Sequence, residues 1–250
     1  NRRKDKYGGE LRNRARILLE VIKAIRDSVG EDYPVWCRLN GREFSSQCGF
    51  TQKEGIEVAR LAQDAGVDAV HISAFPISGF RMPPMAEPPG NIVYLAEAIK
   101  RAVKIPVITV GKITPEVGES IIASGKADLV AMGKALIADP ELPNKVKSGK
   151  LDDIIPCIGC LNCHNTLRGF GTEDGFVRCA INTMTSRERE YVITPVKKSK
   201  KVLVVGGGPA GMEAAPGTDM PRASMAEAMV LAVKRPAQAP SPGQAMRSIA

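Results

Sequence analysis

The chain has 250 residues, 44% hydrophobic and 25% charged, an ordinary globular composition with length for one large domain or slightly more. Aromatics are only 4%, which argues against base stacking as the main activity. The formal charge of +8 is spread over amphipathic segments, as on solvated helix faces, so nucleic acid is not an expected partner, although a basic balance suits phosphate-bearing cofactors. No apolar run approaches the ~20 residues that a bilayer span needs, so no membrane partner is expected.

No signal peptide is visible, and cysteines that cluster without a disulfide-like framework point to a reducing, cytoplasmic compartment. The first residue is Asn1, so the chain is expected to begin inside a longer protein or to have been processed.

Leu11, Ala15, Leu18, Leu19, Ile22 and Ile25 recur at helical spacing and predict a helix over 11–29, stopped by Gly30. Pro34 to Leu39 has the pattern of a short buried strand. Thr51-Gln-Lys-Glu54 is a capping box that opens a helix through Ala65, with Gly66 as its stop. Ala69 to Ser73 is the next apolar strand, followed by a proline-rich loop with Pro76, Pro83, Pro84, Pro88 and Pro89. A helix over Ile92–Val103 and a strand over Ile105–Val110 come next. Thr114 is an N-cap with Pro115 at the first helical position, and that helix runs to about Ser124 before Gly125. Asp128 to Met132 is the fourth strand, and Gly133-Lys134 opens a last turn of helix.

Near-continuous apolar strands alternating with amphipathic helices imply a parallel sheet covered by helices. Four such units make either an open sheet or half of a (β/α)8 barrel. The matched strand ends Gly111-Lys112 and Gly133-Lys134 favour the barrel, whose last two loops commonly bind phosphate. Glycine lets the backbone approach the anion and lysine supplies charge.

Four of the six cysteines fall at Cys157, Cys160, Cys163 and Cys179. A C-x2-C-x2-C run with a distant fourth thiol suits an iron–sulfur cluster, with zinc as the rival metal. A charged connector leads to the apolar run Val202 to Val205 and then to Gly206, Gly208 and Gly211, a G-x-G-x-x-G turn directly after a strand. Pro216 breaks the following helix almost at once, and no acidic strand end follows for a ribose. Residues 216–250 read as disorder or a non-native tail.

Taken together, these landmarks resemble the flavin-dependent oxidoreductases related to old yellow enzyme, in their iron–sulfur branch with 2,4-dienoyl-CoA reductase and trimethylamine dehydrogenase. The resemblance rests on Arg2 to Arg14, on Asp128 to Pro140, on Pro156 to Cys160 and on Val204 to Gly211. It implies an α/β fold: the C-terminal half of a TIM barrel (strands five to eight) over 1–150, an iron–sulfur segment and connector over 151–200, and the start of a Rossmann-like FAD/NAD domain over 201–215. It implies FMN, a 4Fe–4S cluster, FAD (at a truncated site) and NAD(P)H as cofactors, and an enoyl or enone-type small molecule as substrate.

By the same resemblance, Arg38 contacts the flavin ring, Gly111, Lys112, Gly133 and Lys134 hold its phosphate, and Gly206, Gly208 and Gly211 belong to the dinucleotide turn. Lys134 stands where the family more often has arginine. Cys157, Cys160, Cys163 and Cys179 are the implied cluster ligands, while Cys37 and Cys48 read as ordinary thiols. Ser78 and Arg81 occupy the loop where the family places a polar catalytic group, so no catalytic residue is assigned. The chain alone is expected to be inactive, since four strands cannot close a barrel. An inactive truncated product or a zinc-binding interaction module is the alternative, and an oligomer is compatible with either.

Overall fold

The computed structural model describes residues 3–44, 49–75, 88–170 and 175–191, all within one compact unit, Asn1–Val192. Cys48, Ser78, Arg81, the glycine turn at Gly206, Gly208 and Gly211, and the segment 216–250 lie outside the described residues.

The helix starts follow local chemistry. Helix α1 (Leu11–Val29) buries Ala15 and Ile22 and ends at Gly30, whose φ of 81° suits a residue without Cβ. Helix α2 (Gln52–Asp64) carries the full capping box: Thr51 accepts from the Glu54 backbone N–H, and the Glu54 carboxylate accepts from Thr51. Helix α4 (Pro115–Ala123) starts at Thr114, whose hydroxyl accepts from the Val117 N–H.

The strand limits differ from expectation. Strand β1 (Trp36–Glu43) runs past Leu39, because its polar second half still pairs with β2 (Ala69–Phe75) through a register shift between Asn40 and Arg42. Gly41, between them, is buried. A Cβ there would stand 2.8 Å from Leu95 Cβ, and one on Gly55 would stand 2.5 Å from the Gly41 carbonyl oxygen. Two glycines thus let α2 lie against the strand end. Strands β3 (Val107–Thr109) and β4 (Leu129–Val130) are shorter than expected, and α3 (Val93–Lys100) stops before Val103. Three further short helices follow: α5 (Gly133–Ala138), α6 (Leu142–Lys147) and α7 (Asn162–Leu167).

All four strands are parallel, in the order β1-β2-β3-β4. One sheet face is the core. Val70, Ile72 and Val107 are buried with Ile22 of α1, Ala59 and Ala62 of α2, and Leu95, Ala96 and Ile99 of α3. Val93, Ile113, Ile121 and Ala127 extend it beneath α4. The register places Arg38, His71, Ile108 and Leu129 in one row on the opposite face, where Leu129 is 49% exposed and Trp36 is 61% exposed. This is an open half of the layout that eight strands would close, with the barrel interior side uncovered among the described residues.

The N-terminal edge of the sheet repeats one device. Asp68, just before β2, accepts from the Val35 N–H and pairs with Arg26 at the end of α1. Asp128, just before β4, accepts from the Val107 N–H and pairs with Lys100 at the end of α3. Each carboxylate ties the end of a helix to the start of a neighbouring strand, so this edge is structural and the opposite edge is left for chemistry.

Candidate functional site

The C-terminal edge of the sheet gathers the basic and glycine-bearing loops. Gly111 and Lys112 follow β3, and Gly133 and Lys134 follow β4, so adjacent strands bring the two pairs side by side. Gly111 is required locally, since its φ is 133° and a Cβ would stand 2.8 Å from Ile92 Cγ1. Lys112 holds φ at 49°, a left-handed conformation rare for a side-chain-bearing residue. Gly133 is different. Its φ is ordinary and a Cβ would meet nothing within 4 Å, so the protein itself does not demand glycine there. Open space beside a bare backbone fits the approach of a phosphate.

Arg38 lies on the open face of β1 with no hydrogen bond or ion pair among the described residues. His71 is its partner across the β1–β2 register. Burial, and then the nearby Arg38 charge, push the His71 imidazole below its ordinary value, so it is neutral at pH 7. Its Nε2 is buried with no hydrogen-bond partner among the described residues. An orphaned ring nitrogen beside a free guanidinium, on the interior side of the sheet, fits a polar ring system such as an isoalloxazine.

Cys157, Cys160, Cys163 and Cys179 line one pocket, together with Lys134, Ile158, Leu161, Ala180 and Ile181. Two residues of this segment adopt left-handed backbone: Gly159 at φ 71° and Leu161 at φ 59°. The second is an uncommon conformation for leucine, and such strain concentrates at functional sites. The Gly159 N–H donates to Cys157 Sγ at 3.4 Å. Cys163 sits on α7, and burial, with the neighbouring Cys157 and Cys179, pushes its thiol up against the opposing His164 backbone N–H.

Among the described residues no three His, Cys, Asp or Glu side chains stand close enough to grip a single metal ion. The five described cysteines are all free, and Cys37, packed against the core, is pushed up to about 11 by burial, as suits an ordinary thiol.

Helix α5 frames this pocket. Lys134 lies near its start. Just past its end the Asp139 carboxylate, 3% exposed, accepts from the Glu141 N–H, from Lys145 Nζ at 2.6 Å and from the Ile155 N–H at 2.9 Å. On the other side the Ile137 carbonyl accepts from Asn182 Nδ2 at 2.8 Å. Asn162 Nδ2 donates to the Arg178 carbonyl, and Thr166 accepts from the Arg178 N–H, which joins the Cys163 helix to the strand of chain that carries Cys179. Sequence reasoning gave no role to His71, Asp139 or Asn182. A histidine inside an otherwise apolar strand was the one visible signal.

The class that emerges is an α/β domain of parallel β/α units with paired glycine–lysine segments at one edge, led through the short helices α5 and α6 to a pocket lined by four cysteines. Residues 1–153 match the NADH:flavin oxidoreductase / NADH oxidase family, and the chain belongs to it. It is 47% identical over 222 residues to an NADH oxidase from Thermoanaerobacter brockii, covering 86% of this chain and 33% of that protein. It is 39% identical over 233 residues to a cinnamate reductase from Clostridium sporogenes, covering 86% and 34%. Among solved structures, 2-naphthoyl-CoA reductase in complex with 2-naphthoyl-CoA superposes with a TM-score of 0.80 at 38% identity, over 86% of this chain and 33% of that one.

The chain thus spans about a third of the length of the relatives it matches. Since 86% of 250 residues is about 215, the likeness continues for some sixty residues beyond the 153 of the family match. No helix among the described residues is long and apolar enough to cross a membrane.

Proposed function

We propose that the chain is the central part of an NAD(P)H-dependent flavin oxidoreductase that holds FMN at the barrel edge and a 4Fe–4S cluster on Cys157, Cys160, Cys163 and Cys179. FAD would belong to a dinucleotide turn at Gly206, Gly208 and Gly211, and the substrate would be an enoyl or enone-type molecule. FMN would supply hydride chemistry, and the cluster would supply single-electron transfer from the nicotinamide-reduced FAD.

The residues of this chain bind and orient. Arg38 would place a fixed cation beside the flavin ring, a position from which it would stabilise negative charge there. His71, neutral beside it, adds a hydrogen-bonding nitrogen without a competing charge. Lys112 and the open backbone at Gly133 would receive the phosphate. Cys157, Cys160 and Cys163, on the turn through Gly159 and Leu161, would supply three cluster ligands, and the Arg178 ties hold the segment that carries the fourth, Cys179.

One observation carries this reading: four thiols share a pocket with Lys134, directly behind the strand-end loop that would hold FMN. Anaerobic purification tests it. The expected protein is coloured, with flavin, iron and acid-labile sulfide present, and serine at Cys160 removes the iron signal. Zinc without labile sulfide, in a colourless preparation, would overturn it.

A further inference from the structure

We infer that His71 is the positioning residue for Arg38: its Nε2, buried and without a partner among the described residues, is the acceptor for an Arg38 N–H and fixes the guanidinium where the flavin ring would lie. The inference rests on the FMN reading above and deepens it, because His71 then acts on the flavin through Arg38 and not by a contact of its own.

The sheet register carries the assignment. Arg38 and His71 are direct partners on neighbouring parallel strands, which lie ~4.8 Å apart, and both belong to the open face. The rest of that row is Ile108 and Leu129, so Arg38 is the one side chain in it able to donate to His71. In the next row toward the loops, the Ser73 hydroxyl is already committed, to the Leu39 carbonyl at 3.4 Å and to Asn40 Oδ1 at 3.3 Å. Arg38 itself is exposed and has no hydrogen bond or ion pair among the described residues. A long side chain of this kind has much rotamer freedom to lose, so a cation fixed beside a ring needs a contact that holds its fork.

The donor and acceptor chemistry matches. A guanidinium offers five N–H groups and no acceptor, while a neutral imidazole protonated at Nδ1 offers a lone pair at Nε2. Burial, and then the Arg38 charge, keep the ring neutral, and an imidazolium would have no lone pair to give. A hydrogen bond from a charged donor is among the stronger ones a protein makes.

The test uses the protein at its natural length, stripped of FMN and titrated with FMN by flavin fluorescence. The variants are H71N, H71Q, R38K, and R38K combined with H71N. Glutamine brings its amide oxygen close to where Nε2 stands, whereas asparagine, one methylene shorter, does not. H71N is expected to weaken FMN binding roughly ten-fold, as for the loss of one hydrogen bond to a charged group, and H71Q to recover most of that. R38K keeps the charge but has no fork to orient, so adding H71N to it should change the affinity by less than about two-fold. Circular dichroism follows folding, and H71L, which also lacks the acceptor, takes the place of H71N if that variant does not fold.

Equal losses from H71N in the wild-type and R38K backgrounds would mean that His71 acts on the flavin or the fold by itself, and would overturn the inference. An unmoved affinity in H71N, or no recovery in H71Q, overturns it as well. These outcomes leave the FMN reading intact. A wild type that takes up no FMN defeats that reading and the inference together.

Discussion

Glu54 shows how much a single side chain can carry in this fold. Its carboxylate closes the capping box of α2 and pairs with Arg14 of α1, the two side chains being 25% and 28% exposed. The Arg14 hydrogen bond first, and then the Thr51 backbone N–H, hold its acid down to about 2 from an ordinary 4.5. A depressed acid contributes stability above its ordinary value and loses it as pH falls toward the folded value. E54Q should therefore lower stability by about 1 kcal/mol near neutral pH. The gap to wild type should shrink as the pH drops from about 4.5 to about 2. Thermal unfolding followed by circular dichroism across that range measures it, and a gap independent of pH would show that packing, not charge, is lost. At this scale the sequence was legible where a residue acts on its own segment, as Thr51 and Thr114 do. His71 was not legible in that way. Its significance comes from facing Arg38 across a parallel register, and register is a property of two strands.

Elements were legible at their starts and obscure at their ends. A cap is chosen by a few adjacent residues, whereas β1 continues through Asn40-Gly41-Arg42 only because β2 pairs with it and Gly55 lets α2 come close. The short helices α5, α6 and α7 are too brief for a periodic signal and are held by side-chain ties instead. Asp139 is the most constrained of these ties. Burial pushes its acid up, but Lys145 and the Ile155 and Glu141 N–H groups outweigh that and bring it below its ordinary value. D139A removes the shared acceptor and should cost about 1–3 kcal/mol locally. Amide hydrogen exchange should quicken at Ile155 by ten-fold or more while Val70, in the buried sheet, stays protected. Exchange at Ile155 that does not change would mean the tie is dispensable, and with it the framing role of α5. D139N, which keeps one acceptor oxygen, should fall between.

At the scale of the whole molecule, the four-stranded sheet has a covered face and an open one, and the open face decides what the chain needs. Trp36, the single tryptophan, is 61% exposed there, and Leu129 is 49% exposed on the same side. Large apolar side chains on the interior side of a barrel sheet are normally packed in layers by the opposite strands. The relatives are about three times as long as this chain, and family membership and fold were legible because each β/α unit carries its own pattern. Among the described residues nothing covers the open face, so what covers it was not legible in these four units. The 250-residue chain alone should therefore show red-shifted Trp36 emission that acrylamide quenches readily. A chain carrying four further β/α units ahead of Asn1, with W36F subtracted to isolate this residue, should show blue-shifted emission and several-fold weaker quenching. Equal quenching in both would mean that the face stays open, and that Arg38 and His71 face solvent instead of a flavin enclosed by a barrel.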